Sequence, residues 1–149
     1  MPDYPEKLTR MLEDFSFVTD RSERAEMLIE LADRFERVPE RIAAPPYPKD
    51  HRVEFCESEA YVWAEEQPAG TLKFYFAVEN PQGLSAKAMA VILDETLSGE
   101  PLEQVAQVTP DIVLKIFGRE ISMGKGQGLM GMVSAVQNAA KQRLKARQP

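Results

Sequence analysis

The chain has 149 residues, of which 44% are hydrophobic and 28% charged, with a formal net charge of -6. This length supports one compact domain, residues 1–149, with a real core, and the composition is that of an ordinary globular protein. The acidic balance disfavours binding to a nucleic-acid backbone, and the longest apolar run, residues 88–93, falls far short of the ~20 residues a membrane span requires.

The acidic, polar start Met1-Pro2-Asp3-Tyr4-Pro5-Glu6 does not read as a secretory signal. Leu8, Met11, Leu12 and Phe15 recur at helical spacing and predict an amphipathic helix over about residues 4–18. Asp20 is placed to cap a second helix, with Glu23 in a capping-box relation. Leu28, Leu31, Ala32 and Phe35 form its apolar stripe, and Pro39 ends it. Pro45, Pro46 and Pro48 make the next stretch an irregular, extended connector.

A β region follows. Residues 51–55 predict a short strand, and residues 59–66 and 71–79 a hairpin turned at Pro68-Ala69-Gly70. Leu72, Phe74, Phe76 and Val78 alternate with Lys73, Tyr75 and Glu79, the pattern of a half-buried antiparallel strand. Tyr61 and Trp63 read as core packing. Asn80-Pro81-Gln82-Gly83 breaks the sheet, and Met89, Ile92, Leu93 and Leu97 mark a long helix stopped by Gly99 and Pro101. One or two short helices are expected over residues 101–117, the second starting at Thr109-Pro110. A glycine-rich loop with Gly118, Gly124, Gly126 and Gly128 then leads into a final helix striped by Leu129, Met132, Val133, Val136 and Ala140. Lys141, Arg143, Lys145 and Arg147 suit the dipole at its C-terminus. This order of elements predicts an α+β fold.

Cys56 is the only cysteine and His51 the only histidine. A lone thiol has no internal disulfide partner, and it points to a reducing cytosol. Two readings stand: a small buried hydrophobe, or a single reacting sulfur. Charged residues on both sides favour the second. A Cys–His catalytic pair needs close contact, whereas an extended chain would hold His51 roughly 16 Å from Cys56. A zinc site would have to draw on carboxylates for its remaining ligands. Gly126-x-Gly128-x-x-Gly131 matches the dinucleotide-binding fingerprint by letter but lacks the surrounding βαβ unit. The bland reading is a turn that starts the last helix. The functional one is an anion held at that helix N-terminus, with Lys125 beside it.

The stretch Arg52-Val53-Glu54-Phe55-Cys56-Glu57-Ser58-Glu59-Ala60-Tyr61-Val62 resembles the cysteine segment of SufE-type proteins. The resemblance extends to the helices before the Pro-rich connector and to the hairpin after the cysteine. It also includes Ser98-Gly99-Glu100-Pro101-Leu102 and the entry to the last helix, Ser122-Met123-Gly124-Lys125-Gly126-Gln127-Gly128-Leu129. The chain departs from the pattern at Phe55, Glu57, Glu59 and Lys125, and at Val78-Glu79-Asn80-Pro81 after the second strand.

The resemblance implies a two-layer α+β sandwich of the SufE/NifU-like type, with a small antiparallel sheet of about three strands packed with helices. It implies a cytoplasmic sulfur acceptor without a cofactor or metal of its own. Cys56 would take persulfide sulfur from a pyridoxal-phosphate-dependent cysteine desulfurase and deliver it to an iron–sulfur cluster assembly scaffold. Arg52, Ser58 and Lys125 are its candidate supports: Arg52 to steady a thiolate, Ser58 to hydrogen-bond the loop, Lys125 to aid docking. The alternative is an adaptor of the same fold that binds desulfurase or scaffold without carrying sulfur.

Overall fold

The computed structural model describes residues 3–54, 56 and 58–148. Helices α1 (Glu6–Ser16) and α2 (Arg21–Asp33) come first. A 3-10 turn, Lys49–His51, ends the connector, and strands β1 (Ala60–Glu66) and β2 (Leu72–Val78) follow. Helices α3 (Leu84–Leu97), α4 (Leu102–Val105), α5 (Ile112–Phe117) and α6 (Met123–Ala146) complete the chain. Among the described residues, no helix is long and apolar enough to cross a membrane.

Local chemistry accounts for most boundaries. Asp20 caps α2 by accepting from the Ser22 amide at 3.3 Å. The helix ends at Asp33, earlier than Pro39 alone would require, and Phe35 packs on the core from outside it. At the hairpin turn Gly70 takes φ +84°, a left-handed conformation that suits glycine, and its amide donates to the Gln67 carbonyl at 2.8 Å. Gly99 does the same beyond α3, at φ +78°, and its amide bonds the Leu72 carbonyl at 2.9 Å. This bond pins the end of α3 to the start of β2.

β1 and β2 pair antiparallel, with Trp63 opposite Tyr75 and Ala60 opposite Val78. The α+β layering is as expected, but among the described residues the sheet has two strands where about three were expected. The described residues 51–54 do not supply the third; Phe55, the last residue of that expected strand, lies outside the described residues. His51 belongs to the 3-10 turn, and Arg52 makes only an isolated antiparallel bridge to Tyr61. A turn this close leaves too little extended chain for a ladder.

The sheet is covered on both faces. Leu72, Phe74, Phe76, Ala60 and Val62 face the main core, where Met89, Ile92 and Leu93 of α3 meet Met132, Val133 and Val136 of α6. On the other face Tyr61, Trp63 and Ala77 form a second cluster with Val38 and Tyr47, beneath the connector. Tyr47 stands edge-on to Trp63 at 5.2 Å between ring centroids, a favourable aromatic geometry.

Arg41 ties this connector to the hairpin through Glu65 (2.8 and 3.2 Å) and the Tyr75 hydroxyl (2.8 Å). The Arg41 hydrogen bonds, helped by one from Tyr75, hold the Glu65 carboxyl below its ordinary value. A group depressed in the fold stabilises above its unfolded pKa, about 4.3 for Glu, and that contribution disappears as pH falls through the folded value. Glu65→Gln lacks this dependence. The stability gap between wild type and variant should therefore shrink on acidification below about pH 4 in denaturant titrations. A gap constant with pH would mean the pair contributes nothing.

The largest correction concerns the glycine-rich segment. Ser122 caps α6 by accepting from the Lys125 amide at 3.4 Å, so Gly124, Gly126 and Gly128 lie inside the helix and not in a loop. Glycine is a poor helix former. Here tertiary packing overrides propensity, because the first turns of α6 lie directly against the chain around Cys56.

Candidate functional site

Cys56 lies near the tip of a tight excursion between the connector and β1. The Val53 amide donates to the Ala60 carbonyl at 2.9 Å, closing the base of the excursion. The Glu59 amide donates to the Cys56 carbonyl at 3.1 Å, closing the turn. Glu59 takes φ +53°, unusual for a residue with a side chain, and this reverses the chain into β1. Phe55 and Glu57, two of the departures from the SufE pattern, lie outside the described residues.

The thiol-bearing residue is 7% exposed and packs in the main core. It separates two spaces. One is an open cleft of about 780 Å³ bordered by Lys49, Arg52, Val53, Glu54, Gly124 and Gln127. The other is a small cavity of about 40 Å³ bordered by Ser58, Ser85, Ala86, Lys125, Gly128 and Leu129. The sequence-derived candidates therefore do converge on Cys56, but on different sides. Exposed Arg52 stands in the cleft, whereas half-buried Ser58 and exposed Lys125 border the cavity. Two exposed apolar side chains flank the same region: Met123 (81% exposed), next to Gly124, and Leu84 (43%), next to Ser85.

His51 is engaged elsewhere. Its Nδ1–H donates to the Val62 carbonyl at 3.0 Å, and its ring stacks on Trp63 at 5.2 Å. It borders neither space around Cys56. Tyr61, paired with Arg52 in the chain entering this loop, has its hydroxyl pKa raised by burial and by the nearby Glu79 carboxylate, with Arg52 opposing.

Sequence reasoning missed the parts of the site that depend on packing. Lys49 and Ser85 gave no signal in isolation. Gly128 and Gly131 did give one: with Gly124 they recur at the helical spacing of a single face. That spacing was obscured by the overlapping dinucleotide pattern.

A two-stranded hairpin backed by helices, with one cysteine held between a cleft and a helix start, defines a small α+β protein built around a single thiol. Residues 9–140 match the SufE family model, the Fe-S metabolism associated domain. The chain belongs to that family, which places it in iron–sulfur metabolism. It is similar to the solution structure of a hypothetical protein from Thermus thermophilus, with 26% identity, 95% of this chain and 98% of that chain covered, and a TM-score of 0.72. No curated protein matches it.

Proposed function

We propose that the chain, acting as a single SufE-like domain of the cytoplasm, is a sulfur acceptor and carrier with Cys56 as the sulfur-bearing residue. The observation that carries this reading is the position of Cys56: the only thiol, near a loop tip, bordering both an open cleft and a small cavity. The donor is a pyridoxal-phosphate-dependent cysteine desulfurase that holds sulfur as a persulfide. The Cys56 thiolate attacks the outer sulfur, a new S–S bond forms on Cys56, and the partner's S–S bond breaks. The partner leaves as a thiolate and takes up the proton that Cys56 gave up, so no outside oxidant or reductant is consumed. The carried sulfur then passes to an iron–sulfur scaffold by the same exchange.

The surroundings suit each step. The cleft admits a partner's reacting segment. The 40 Å³ cavity exceeds the ~10–15 Å³ that a single small guest needs, so it has room for one further atom beside the thiol. Met123 and Leu84 offer apolar contacts at the rim, and Arg52 and Lys125 offer cations to an acidic partner surface. Ser58 sits where its side chain can support the loop.

The test is to incubate the protein with a cysteine desulfurase and free cysteine and record an intact mass without reductant. One added sulfur, about 32 Da, supports the carrier. No gain, with the desulfurase active and its own persulfide detectable, supports the adaptor reading, which the burial of the resting thiol also fits. His51→Ala should gain sulfur at close to the wild-type rate in this assay, because His51 is occupied by Val62 and Trp63. Loss of sulfur gain in that variant would return His51 to the chemistry.

A further inference from the structure

The loop that carries Cys56 lies unusually close to backbone. A Cβ placed on Gly128 would come within 3.0 Å of Cys56 Cα and 3.3 Å of its Cβ and Sγ. One on Gly131, a turn further along the same face of α6, would come within 2.7 Å of Val53 Cγ1 and 3.5 Å of the Glu54 carbonyl oxygen. A Cβ on Gly83 would stand 2.7 Å from Val78 Cγ1 and 3.1 Å from both the Asn80 carbonyl oxygen and Ser58 Cβ. The loop is thus pressed onto bare backbone at its base, at the cysteine and just beyond it.

We propose that Gly128 is a positioning residue for the thiol: the missing side chain lets Cys56 lie flat on α6, and this contact keeps the sulfur beside the small cavity and the residue only 7% exposed. As a role in sulfur acceptance, this rests on the carrier reading; as a statement about thiol access, it does not. The glycine is otherwise unfavourable in a long helix, and at this position its benefit is the close approach. If a methyl group is added, one side must yield. α6 is a 24-residue helix fixed in the core by Leu129, Met132, Val133 and Val136. The loop is held by the Val53–Ala60 and Cys56–Glu59 backbone bonds and, at 3.2 Å each, by Ser58 and Glu59 carbonyls that accept from the Asn80 and Glu79 amides, none of which fixes the Cys56 Cα against α6. The loop yields, and the thiol moves toward the cleft.

Gly128→Ala is therefore expected to expose Cys56 at little net cost to the fold, since the gain in helix propensity offsets displacing the loop backbone by a few tenths of an ångström. Gly126→Ala is the control. It makes the same helix-favouring change two residues away, where a Cβ meets only Ile121 Cγ2 at an ordinary 3.6 Å. Alkylation by iodoacetamide, followed by mass under native conditions, should be about tenfold faster in Gly128→Ala than in wild type and unchanged in Gly126→Ala. Gly126→Ala should melt at or above the wild-type temperature and Gly128→Ala close to it. Gly131→Ala should also alkylate faster, and adding Val53→Ala, which removes the obstructing Cγ1, should bring the rate back toward wild type.

A wild-type alkylation rate in a folded Gly128→Ala protein would overturn the proposal, because it would show the helix giving way and not the loop. A Gly128→Ala protein that melts well below wild type would also overturn it, assigning the glycine to general packing. These readouts need no desulfurase. Faster alkylation with no sulfur gain in the wild type would retain the seat and reject the carrier; sulfur gain with unaltered alkylation would do the reverse.

Discussion

Cys56→Ser should gain no sulfur from a desulfurase while keeping its fold. A serine hydroxyl is far less nucleophilic toward a persulfide at neutral pH and does not form a stable sulfane adduct, so the loss of sulfur gain is expected to be complete. The stability cost should be small. The residue is 7% exposed, but it borders a cleft and a small cavity instead of being wrapped by apolar atoms on all sides. Serine is close in size, and the cavity beside it is large enough for one small hydrogen-bonding guest. A cost of about 1 kcal/mol follows, equivalent to roughly 2–4 °C in melting temperature for a chain of this length. Intact mass and thermal melting on the same preparation separate the outcomes. Undiminished sulfur gain would move the chemistry off Cys56. A destabilisation above about 4 kcal/mol would identify a structural core cysteine instead.

The largest effect on stability is expected at Arg24, whose guanidinium joins three segments. It donates to the Lys115 and Ile116 carbonyls (3.3 and 2.6 Å) in the last turn of α5. It also donates to the Phe15 and Val18 carbonyls (3.3 and 2.9 Å) at the end of α1. Its carbon lies 5.7 Å from the Phe15 ring centroid. One cation therefore joins two helix C-termini, where it adds a donor to carbonyls (that of Phe15 also accepts from the Val18 amide at 3.1 Å) and suits the dipoles. Hydrogen bonds from a charged donor contribute about 1.5–3 kcal/mol each in favourable cases, but these carbonyls are only partly buried and can turn to water. Arg24→Ala should cost about 2–3 kcal/mol in urea unfolding. Arg24→Lys should recover only part of this, since an ammonium lacks the fork that spans both helix ends. A cost below about 0.5 kcal/mol in the alanine variant would show that water replaces the arginine fully.

The features legible in the sequence were those set by local pattern. The alternation of Leu72, Phe74 and Phe76 against Lys73 and Tyr75 located β2 and its inward face. Asp20 located the start of α2. Cys56 stood out because it had no companion, and the motif around it carried the family. What was not legible depended on residues distant in the chain. Of the strand expected over 51–55, the described residues 51–54 form none, because the 3-10 turn at Lys49–His51 leaves only the Arg52–Tyr61 bridge. The glycine-rich segment was read as a loop because propensity disfavours helix there, and only the nearness of Cys56 to Gly128 explains why it is helical. The role of Arg24 could not be read either, since an arginine on an amphipathic helix normally faces solvent.

The connector that covers the outer face of the hairpin has a spectroscopic consequence. Trp63, the single tryptophan, lies between His51, Tyr47 and Tyr61, with ring centroids 5.2–6.0 Å away. Its side chain is on the sheet face opposite the core that holds Cys56. Its emission therefore reports on the seating of the connector, while far-ultraviolet circular dichroism reports on the helices around the thiol. A protein whose two signals melt together opens as a unit; one whose fluorescence changes first sheds its aromatic cover while the sulfur site is still intact.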